Sequence, residues 1–323
     1  MSKPTLLTKP DSEQASVLRS LRERLNSLIL GKAEVIDLAL TTLLGGGHLL
    51  LEDVPGVGKT TLARQLAGAF TGQYQRIQFT SDLLPMDVIG IQVYKKSVEQ
   101  FEFTPGPIFA NFVLADEINR AAPKTQSCLL QAMNEREVSV DRSTHALPKP
   151  FMVIATQNPL SFEGTFALPE SQLDRFMMAI EMGYPDREAE RQLLAHKSMT
   201  DRSVDAPIVS LETLIELQAQ VEEVHCDEDV LSYLQDIVDG TRTRNELKIG
   251  VSPRGALTLL KASKAHALLQ ERTYVTPHDI KRLVIPCLAH RVTPAASHSN
   301  QGHARTQSAH ILSALLSELV VPT

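Results

Sequence analysis

Apolar residues follow two rhythms along the chain, and the change from one to the other divides it. Through residues 15–44 they recur at helical spacing, with Leu18, Leu21, Leu25 and Leu28 followed by Val35, Leu38 and Leu43. Gly31 interrupts the series, so the pattern predicts two helices with a short break at Leu30-Gly31, and Gly45-Gly46-Gly47 ends the second. Short apolar runs then alternate with longer amphipathic stretches, at 48–51, 76–79, 112–115, 151–156 and 176–180. A parallel strand covered on both faces reads as a short continuous apolar run, so these five segments and the helices between them predict a doubly wound α/β unit.

Two polar stretches with period-two alternation break that rhythm. Residues 91–103, around Lys95-Lys96-Ser97, and 138–147, around Asp141-Arg142-Ser143, each predict a hairpin inserted into the α/β frame. Beyond Gly183-Tyr184-Pro185-Asp186 the strand signals stop, and helical patterns fill 187–196, 210–224, 227–239, 253–270 and 277–290. Ser252-Pro253 and Thr276-Pro277 each set a capping hydroxyl before a proline at the first helical position. The polar stretch 293–306 reads as a loop and 308–319 as a last helix. The expected organisation is an α/β domain over residues 1–185, with a parallel five-stranded sheet core, and a smaller C-terminal all-α domain over 186–323.

Composition narrows the class. With 43% hydrophobic and 22% charged residues, the 323-residue chain can bury a sizeable core. Its net charge of −6, from 32 Lys+Arg against 38 Asp+Glu, lacks the basic excess of a dedicated nucleic-acid binder. Cys128, Cys226 and Cys287 lie far apart with no Cys-x-x-Cys pair, which reads as reduced thiols packed in helices rather than disulfides or a zinc site. The N-terminus to Asp11 is polar with two prolines, unlike a secretory signal, and no apolar run approaches the ~18 residues needed to span a bilayer. A cytoplasmic location without membrane insertion is expected.

The chemistry concentrates where predicted strands end. Asp53-Val54-Pro55-Gly56-Val57-Gly58-Lys59-Thr60 follows the first strand and opens a helix at Thr61. Glycines let successive backbone N–H groups converge on phosphate oxygens, and the helix N-terminus adds positive potential. Lys59 would reach the β- and γ-phosphates of a nucleotide, and the Thr60 hydroxyl would ligate Mg²⁺. Asp53 stands where the strict phosphate-loop pattern has glycine, at the strand exit, where a side chain is expected to be tolerated. The strand at 112–115 delivers Asp116 and Glu117, the first suited to the metal's water shell and the second to polarising the attacking water.

Three further residues extend that set. Gln157-Asn158-Pro159 ends another strand, where the Asn158 amide can orient the same water, although Asn-Pro is also a plain turn signal. Arg175 in Leu173-Asp174-Arg175-Phe176 can serve as an arginine finger in a neighbouring subunit. Arg254 occupies the first turn of its helix, where a cation opposes the dipole at a cost on the order of a few tenths of a kcal/mol, so it is expected to contact phosphate. The bland reading of either arginine is a surface salt bridge. The ten histidines show no metal-ligand spacing, and no Gly-x-Ser-x-Gly elbow is present.

Taken together these strings resemble the MoxR family of AAA+ ATPases. The resemblance rests on the segment from Leu50 to Thr60, Gly106-Pro107-Ile108-Phe109-Ala110-Asn111, Asp116-Glu117-Ile118-Asn119-Arg120-Ala121, Ala155-Thr156-Gln157-Asn158-Pro159, Glu163-Gly164-Thr165, the segment from Leu168 to Phe176, and Val251-Ser252-Pro253-Arg254, and it covers nearly the whole chain. It implies an AAA+ P-loop NTPase with a helical lid, in which Lys59 and Thr60 belong to Walker A, Asp116 and Glu117 to Walker B, Asn158 is sensor 1 and Arg254 sensor 2. It also implies that Arg175, or else Arg120, is the finger, and that Leu30 and Gly31 lie where adenine is contacted, alongside the loop residues Pro55, Gly56, Val57, Gly58 and Thr61. The hairpins match the helix-2 insert and the pre-sensor-1 hairpin. The implied activity is Mg²⁺-dependent ATP hydrolysis by a homo-oligomeric ring, a hexamer. Such a ring acts as a chaperone-like remodeller of protein clients with a von Willebrand factor A domain partner, in complex assembly or metal cofactor insertion. A nucleic-acid motor of the same AAA+ branch and a non-catalytic nucleotide switch are the alternatives.

Overall fold

The computed structural model describes residues 12–54, 56–97, 99–141, 143–158, 164–195, 206–295 and 301–322. Pro55, Arg142, Pro159, Glu163, His196 and the segment 1–11, all named above, lie outside the described residues.

Helices α1 (Ser12–Leu28) and α2 (Ala33–Leu44) form on either side of Gly31, whose positive φ of 68° turns the chain between them. Leu18, Leu21 and Leu25 make the buried face of α1, while α2 is buried at every position from Val35 to Leu44. A helix apolar nearly all round must be covered on every side. The one charged residue in that run, Asp37, is paired with Arg22 of α1.

The chain then runs through β1 (Leu49–Glu52), α3 (Lys59–Gly68), β2 (Tyr74–Gln78), α4 (Pro85–Ile89), the hairpin of β3 (Gly90–Lys95) and β4 (Gln100–Pro105), β5 (Phe112–Asp116), α5 (Pro123–Glu135), the hairpin of β6 (Glu137–Val140) and β7 (Ser143–Ala146), β8 (Met152–Gln157), α6 (Glu170–Leu173) and β9 (Met178–Ile180). Five strands make one sheet in the order β2-β5-β8-β1-β9, every pairing parallel. The four strands β5, β8, β1 and β9 are buried along their whole length, and the edge strand β2 is largely open to solvent.

Successive residues on these strands face opposite sides, as the pleat requires. Leu49 and Leu51 join the core with α1, α2 and α3, and Leu50 joins a second core with α4, α5 and the hairpins. The first core continues without interruption into the C-terminal helices, so α2 lies between the sheet and that helical region.

The C-terminal part contains α7 (Arg187–Ala195), α8 (Leu211–Glu223), α9 (Glu228–Thr243), β10 (Leu247–Ile249), α10 (Pro253–Leu269), α11 (Pro277–Leu288), β11 (Thr293–Pro294) and α12 (Gln301–Glu318). Both predicted caps form: Ser252 Oγ accepts the Gly255 N–H at 3.1 Å, and Thr276 Oγ1 that of Asp279 at 3.4 Å. Asp279 returns the bond to the Thr276 N–H at 2.8 Å and also takes His266 and both guanidinium nitrogens of Arg272. Burial pushes its carboxyl up, but these donors more than offset that and hold it well below the usual carboxylate range.

Three expectations need correction. The region is not purely helical, because β10 pairs antiparallel with β11. The segment 293–306 is not all loop, since it holds β11 and the first turns of α12. Cys128 and Cys287 lie on helices, but Cys226 is in the loop between α8 and α9. No helix among the described residues is long and apolar enough to cross a membrane.

Candidate nucleotide site

Because all five strands run the same way, their C-terminal ends share one edge of the sheet, and the loops leaving that edge form a cleft. The chain leaves β1 at Asp53, whose carboxylate accepts the Val54 N–H at 2.7 Å and the Gly183 N–H at 2.5 Å. The side chain that departs from the phosphate-loop pattern therefore ties the start of the loop to the segment following β9. Gly56 and Gly58 have φ of 88° and 99°, a region that favours glycine, and a Cβ on Gly56 would meet nothing within 4 Å. Gly58 caps α3, so the helix opens at Lys59.

A cleft of about 310 Å³ brings Gly56, Gly58, Lys59, Thr60 and Thr61 together with Asp116, Glu117, Thr156 and Asn158. Lys59 Nζ donates to the Asp53 carbonyl at 2.6 Å and lies 3.4 Å from that of Gln157. Burial lowers its pKa, and the nearby charges of Asp53, Asp116 and Glu117 oppose that shift without cancelling it.

The acids arrive from β5. Asp116 is buried, and Glu117 takes a left-handed conformation with φ of 57° at the head of a single 3₁₀ turn, Ile118–Arg120. Such a backbone costs on the order of 1 kcal/mol for a residue other than glycine. Thr156 joins them: its hydroxyl donates to Asp116 Oδ1 at 2.5 Å and accepts the Glu117 N–H at 2.8 Å. From the edge strand, Arg76 donates to Asp116 Oδ2 through Nε at 3.1 Å and Nη2 at 2.6 Å. Gln78 Nε2 lies 3.1 Å from Glu117 Oε2, and Arg120 Nε reaches the same oxygen at 2.8 Å. The Asn158 carbonyl accepts from Asn119 Nδ2 at 3.3 Å.

The donor set fits a hard divalent cation. Thr60 and Asp116 offer a hydroxyl and a carboxylate, few and oxygen-only, as Mg²⁺ prefers when it keeps most of its water and shares phosphate oxygens. The open space over Gly56 is a cradle of the kind phosphate groups fill. Among the described residues no cluster of three or more His, Cys, Asp or Glu could form an all-protein metal cage.

The remaining predicted residues stand outside this cleft. Val57 turns inward against the core. Leu30-Gly31 lies beside the linker after β9, where Gly31 approaches Asp186 and Ala189, and Lys32 Nζ donates to the Met182 and Tyr184 carbonyls at 2.6 and 2.7 Å. Met182 in turn comes within 3.7 Å of where a Cβ of Gly58 would stand, so the break between α1 and α2 borders the phosphate loop through one residue.

Arg175 and Arg254 are at the opposite end of the sheet. Arg175 donates to the Leu130 carbonyl of α5, and Arg254 Nη2 to Asn134 Oδ1 at 2.7 Å. Next to them Arg291, from the C-terminal end of α11, is almost fully enclosed. It donates to Asp174 Oδ1 at 2.8 Å, to the Phe176 carbonyl at 2.7 Å and to the Met177 carbonyl at 3.1 Å. The helical region thus grips the segment that carries Arg175. Arg305 of α12, mostly enclosed, pairs with Glu52 at the end of β1 and donates to the Ala179 carbonyl, and desolvation pulls its guanidinium down to about 10.

Arg76, Gln78, Thr156, Arg291 and Arg305 were not picked out from sequence. Only Arg76 had a readable signal there, a cation on a predicted strand whose neighbour ends in two acids.

Comparison with known proteins bears on the fold and the family. The model of the ATPase family associated with various cellular activities (AAA) matches residues 48–178, and that of the AAA lid domain matches 239–311. The chain is 48% identical over 272 residues to the uncharacterized protein YeaC of Bacillus subtilis, covering 84% of this chain and 85% of that one. It is 39% identical over 274 residues to Chaperone MoxR1 of Mycobacterium tuberculosis, covering 82% and 72%. A solved crystal structure of a proposed ATPase from Cytophaga hutchinsonii superposes with a TM-score of 0.86 at 33% identity, covering 96% of each chain. With a Walker-type cleft in place and relatives of this similarity matched along most of their length, the chain belongs to the MoxR family of AAA+ ATPases.

Proposed function

We propose that the protein is a Mg²⁺-dependent ATP hydrolase that works as a ring-forming, chaperone-like motor on protein clients. One observation carries this reading: Lys59, Thr60, Asp116, Glu117 and Asn158, drawn from three strand ends, line a single cleft. Lys59 and the amides of the loop bind the triphosphate, and α3 turns its positive end toward it. Thr60 and Asp116 would hold Mg²⁺, whose charge offsets that developing on the phosphoryl oxygens. Glu117 accepts a proton from the attacking water, and Asn158 orients that water.

Arg175 and Arg254 serve a neighbouring subunit's cleft in this reading, because both lie at the far end of their own sheet. Assembly then becomes a condition of turnover. The ring is proposed as a hexamer. A von Willebrand factor A domain protein as partner, and complex assembly or metal cofactor insertion as the task, come from the family resemblance. A nucleic-acid motor gains no support: Lys95, half of the Lys95-Lys96 pair in the first hairpin, is paired with Glu102.

The test is Glu117→Gln, a change that keeps the shape and removes the base. The expected result is ATP uptake within a few-fold of the parent with phosphate release lowered by about 10²–10⁴-fold. Undiminished phosphate release by Glu117→Gln rings would remove hydrolysis at this cleft. Absence of ATP uptake by the parent protein would remove the whole reading.

A further inference from the structure

Asp116 is the carboxylate proposed to hold Mg²⁺, yet both of its oxygens already have partners from this chain. Oδ1 takes the Thr156 hydroxyl at 2.5 Å, and Oδ2 takes two donors of the Arg76 guanidinium at 3.1 and 2.6 Å. An ionised carboxylate offers about four lone-pair positions, so three of them are used. The two-donor contact from a planar guanidinium to a carboxylate is among the stronger side-chain pairings. Here it sets a positive charge against the carboxylate that is proposed to hold a divalent cation's water shell.

The placement of Arg76 makes the contact reversible. Its side chain is half exposed on the edge strand β2, while that of Asp116 is 10% exposed. The guanidinium can swing into solvent, and the acid cannot. Arg76 Nη2 also donates to Gln78 Oε1 at 2.9 Å, so a second acceptor stands ready on the same strand. The pair thus sits on a carboxylate that lines the phosphate-loop cleft and is within reach of the edge strand.

The geometry points to Arg76 as a resident cation that competes with Mg²⁺ for Asp116, and so sets how strongly the site prefers metal-bound over metal-free nucleotide. This rests on the proposed ATP- and Mg²⁺-binding role of the cleft. With no metal present, Arg76 neutralises Asp116 and lessens its repulsion of the triphosphate. With Mg²⁺ bound at Asp116, Arg76 would face a like charge and would shift onto Gln78 and into solvent. Wild-type protein therefore keeps appreciable affinity for metal-free nucleotide and gains less from Mg²⁺ than the acid alone would allow.

The experiment is calorimetric titration of the full chain with the non-hydrolysable analogue adenylyl imidodiphosphate, in excess EDTA and in saturating Mg²⁺. The readout is the ratio of the two dissociation constants, from which Mg²⁺ binding to free nucleotide cancels when variant and parent are compared. In Arg76→Gln the ratio is expected to rise about three- to fivefold in favour of Mg²⁺, the size expected for the loss of a partly exposed ion pair. Arg76→Lys, which keeps the charge and loses the fork, should move it by less than half as much on a logarithmic scale. If Arg76→Gln does not fold, the Arg76→Lys shift in the same direction is the deciding measurement. An unchanged or smaller ratio overturns the role of Arg76 while leaving the cleft's function intact. A parent protein that takes up the analogue in neither condition overturns both.

Discussion

The hydroxyl of Thr156 donates to Asp116 Oδ1 at 2.5 Å while accepting the main-chain N–H of Glu117 at 2.8 Å. One side chain from β8 thereby fixes the orientation of the metal-side acid and the left-handed backbone that presents the water-side acid. Thr156→Val keeps the shape and removes both bonds. Outer-shell partners of this kind typically contribute about 10–100-fold to metal affinity or activity. Thr156→Val is expected to bind nucleotide in EDTA as the parent does, to release phosphate about 10–100-fold more slowly, and to lose about 1–3 kcal/mol of stability from the unpaired Glu117 N–H. Thr156→Ser should recover most of the rate. Phosphate release and urea unfolding of the two variants check this, and a fully active valine variant would show that the bridge has no part in turnover.

His48 predicts a pH dependence of stability. Its ring is buried at the start of β1, where Nδ1 accepts the Val153 N–H at 3.0 Å and Nε2 contacts the Met133 carbonyl at 3.1 Å. The ring is thus the neutral tautomer with its proton on Nε2. Burial lowers its pKa from 6.5 to about 4; the Met133 bond opposes that, and the positive charges of Arg136 and Arg254 add to it. The folded chain therefore takes up this proton less readily than the unfolded chain. Stability from the neutral ring is complete above about pH 6.5 and is lost as pH falls from there toward 4, on the order of 3 kcal/mol in all. The urea midpoint of His48→Gln should fall less steeply over that window than that of the parent, and equal slopes would refute the assignment.

The legible parts of this chain were those in which neighbouring residues carry the signal. Four of the five sheet strands were readable because burial on both faces leaves a local run of apolar residues, as in β5 and β8, whereas the exposed edge strand β2 offers only Ile77 as a buried position. The cleft's glycines and lysine were readable because a phosphate loop is contiguous, and its two acids because they directly follow an apolar run. What escaped depends on partners distant in sequence. Leu247 pairs with Pro294 across 47 positions, and strands of three and two residues have no period to detect. The early part of α12 gives no apolar signal at Arg305, whose inward contact is an ion pair with Glu52. Arg76 and Thr156 look like ordinary strand residues until β2, β5 and β8 are placed side by side.

Arg175 tests the assembly directly. It precedes β9 at the N-terminal end of the sheet, and the cleft lies beyond the C-terminal end of β1. A four-residue strand rises about 13 Å, more than the Arg175 side chain could reach from its place against Leu130. Any contact with phosphate must therefore be made in another subunit. Glu117→Gln removes the base from its own cleft, and Arg175→Ala removes the finger from a neighbour's. Each alone should stop turnover, yet co-assembled at equal amounts they leave about one quarter of interfaces with both groups intact. A matched mixture of wild type with the Glu117→Gln/Arg175→Ala double variant contains the same fraction of intact interfaces. If Arg175 acts between subunits, the two mixtures, co-expressed with separate tags and purified through both, release phosphate at equal rates. If it acted within its own chain, the mixture of single variants would be inactive, because no subunit in it carries both groups, and the matched mixture would not be.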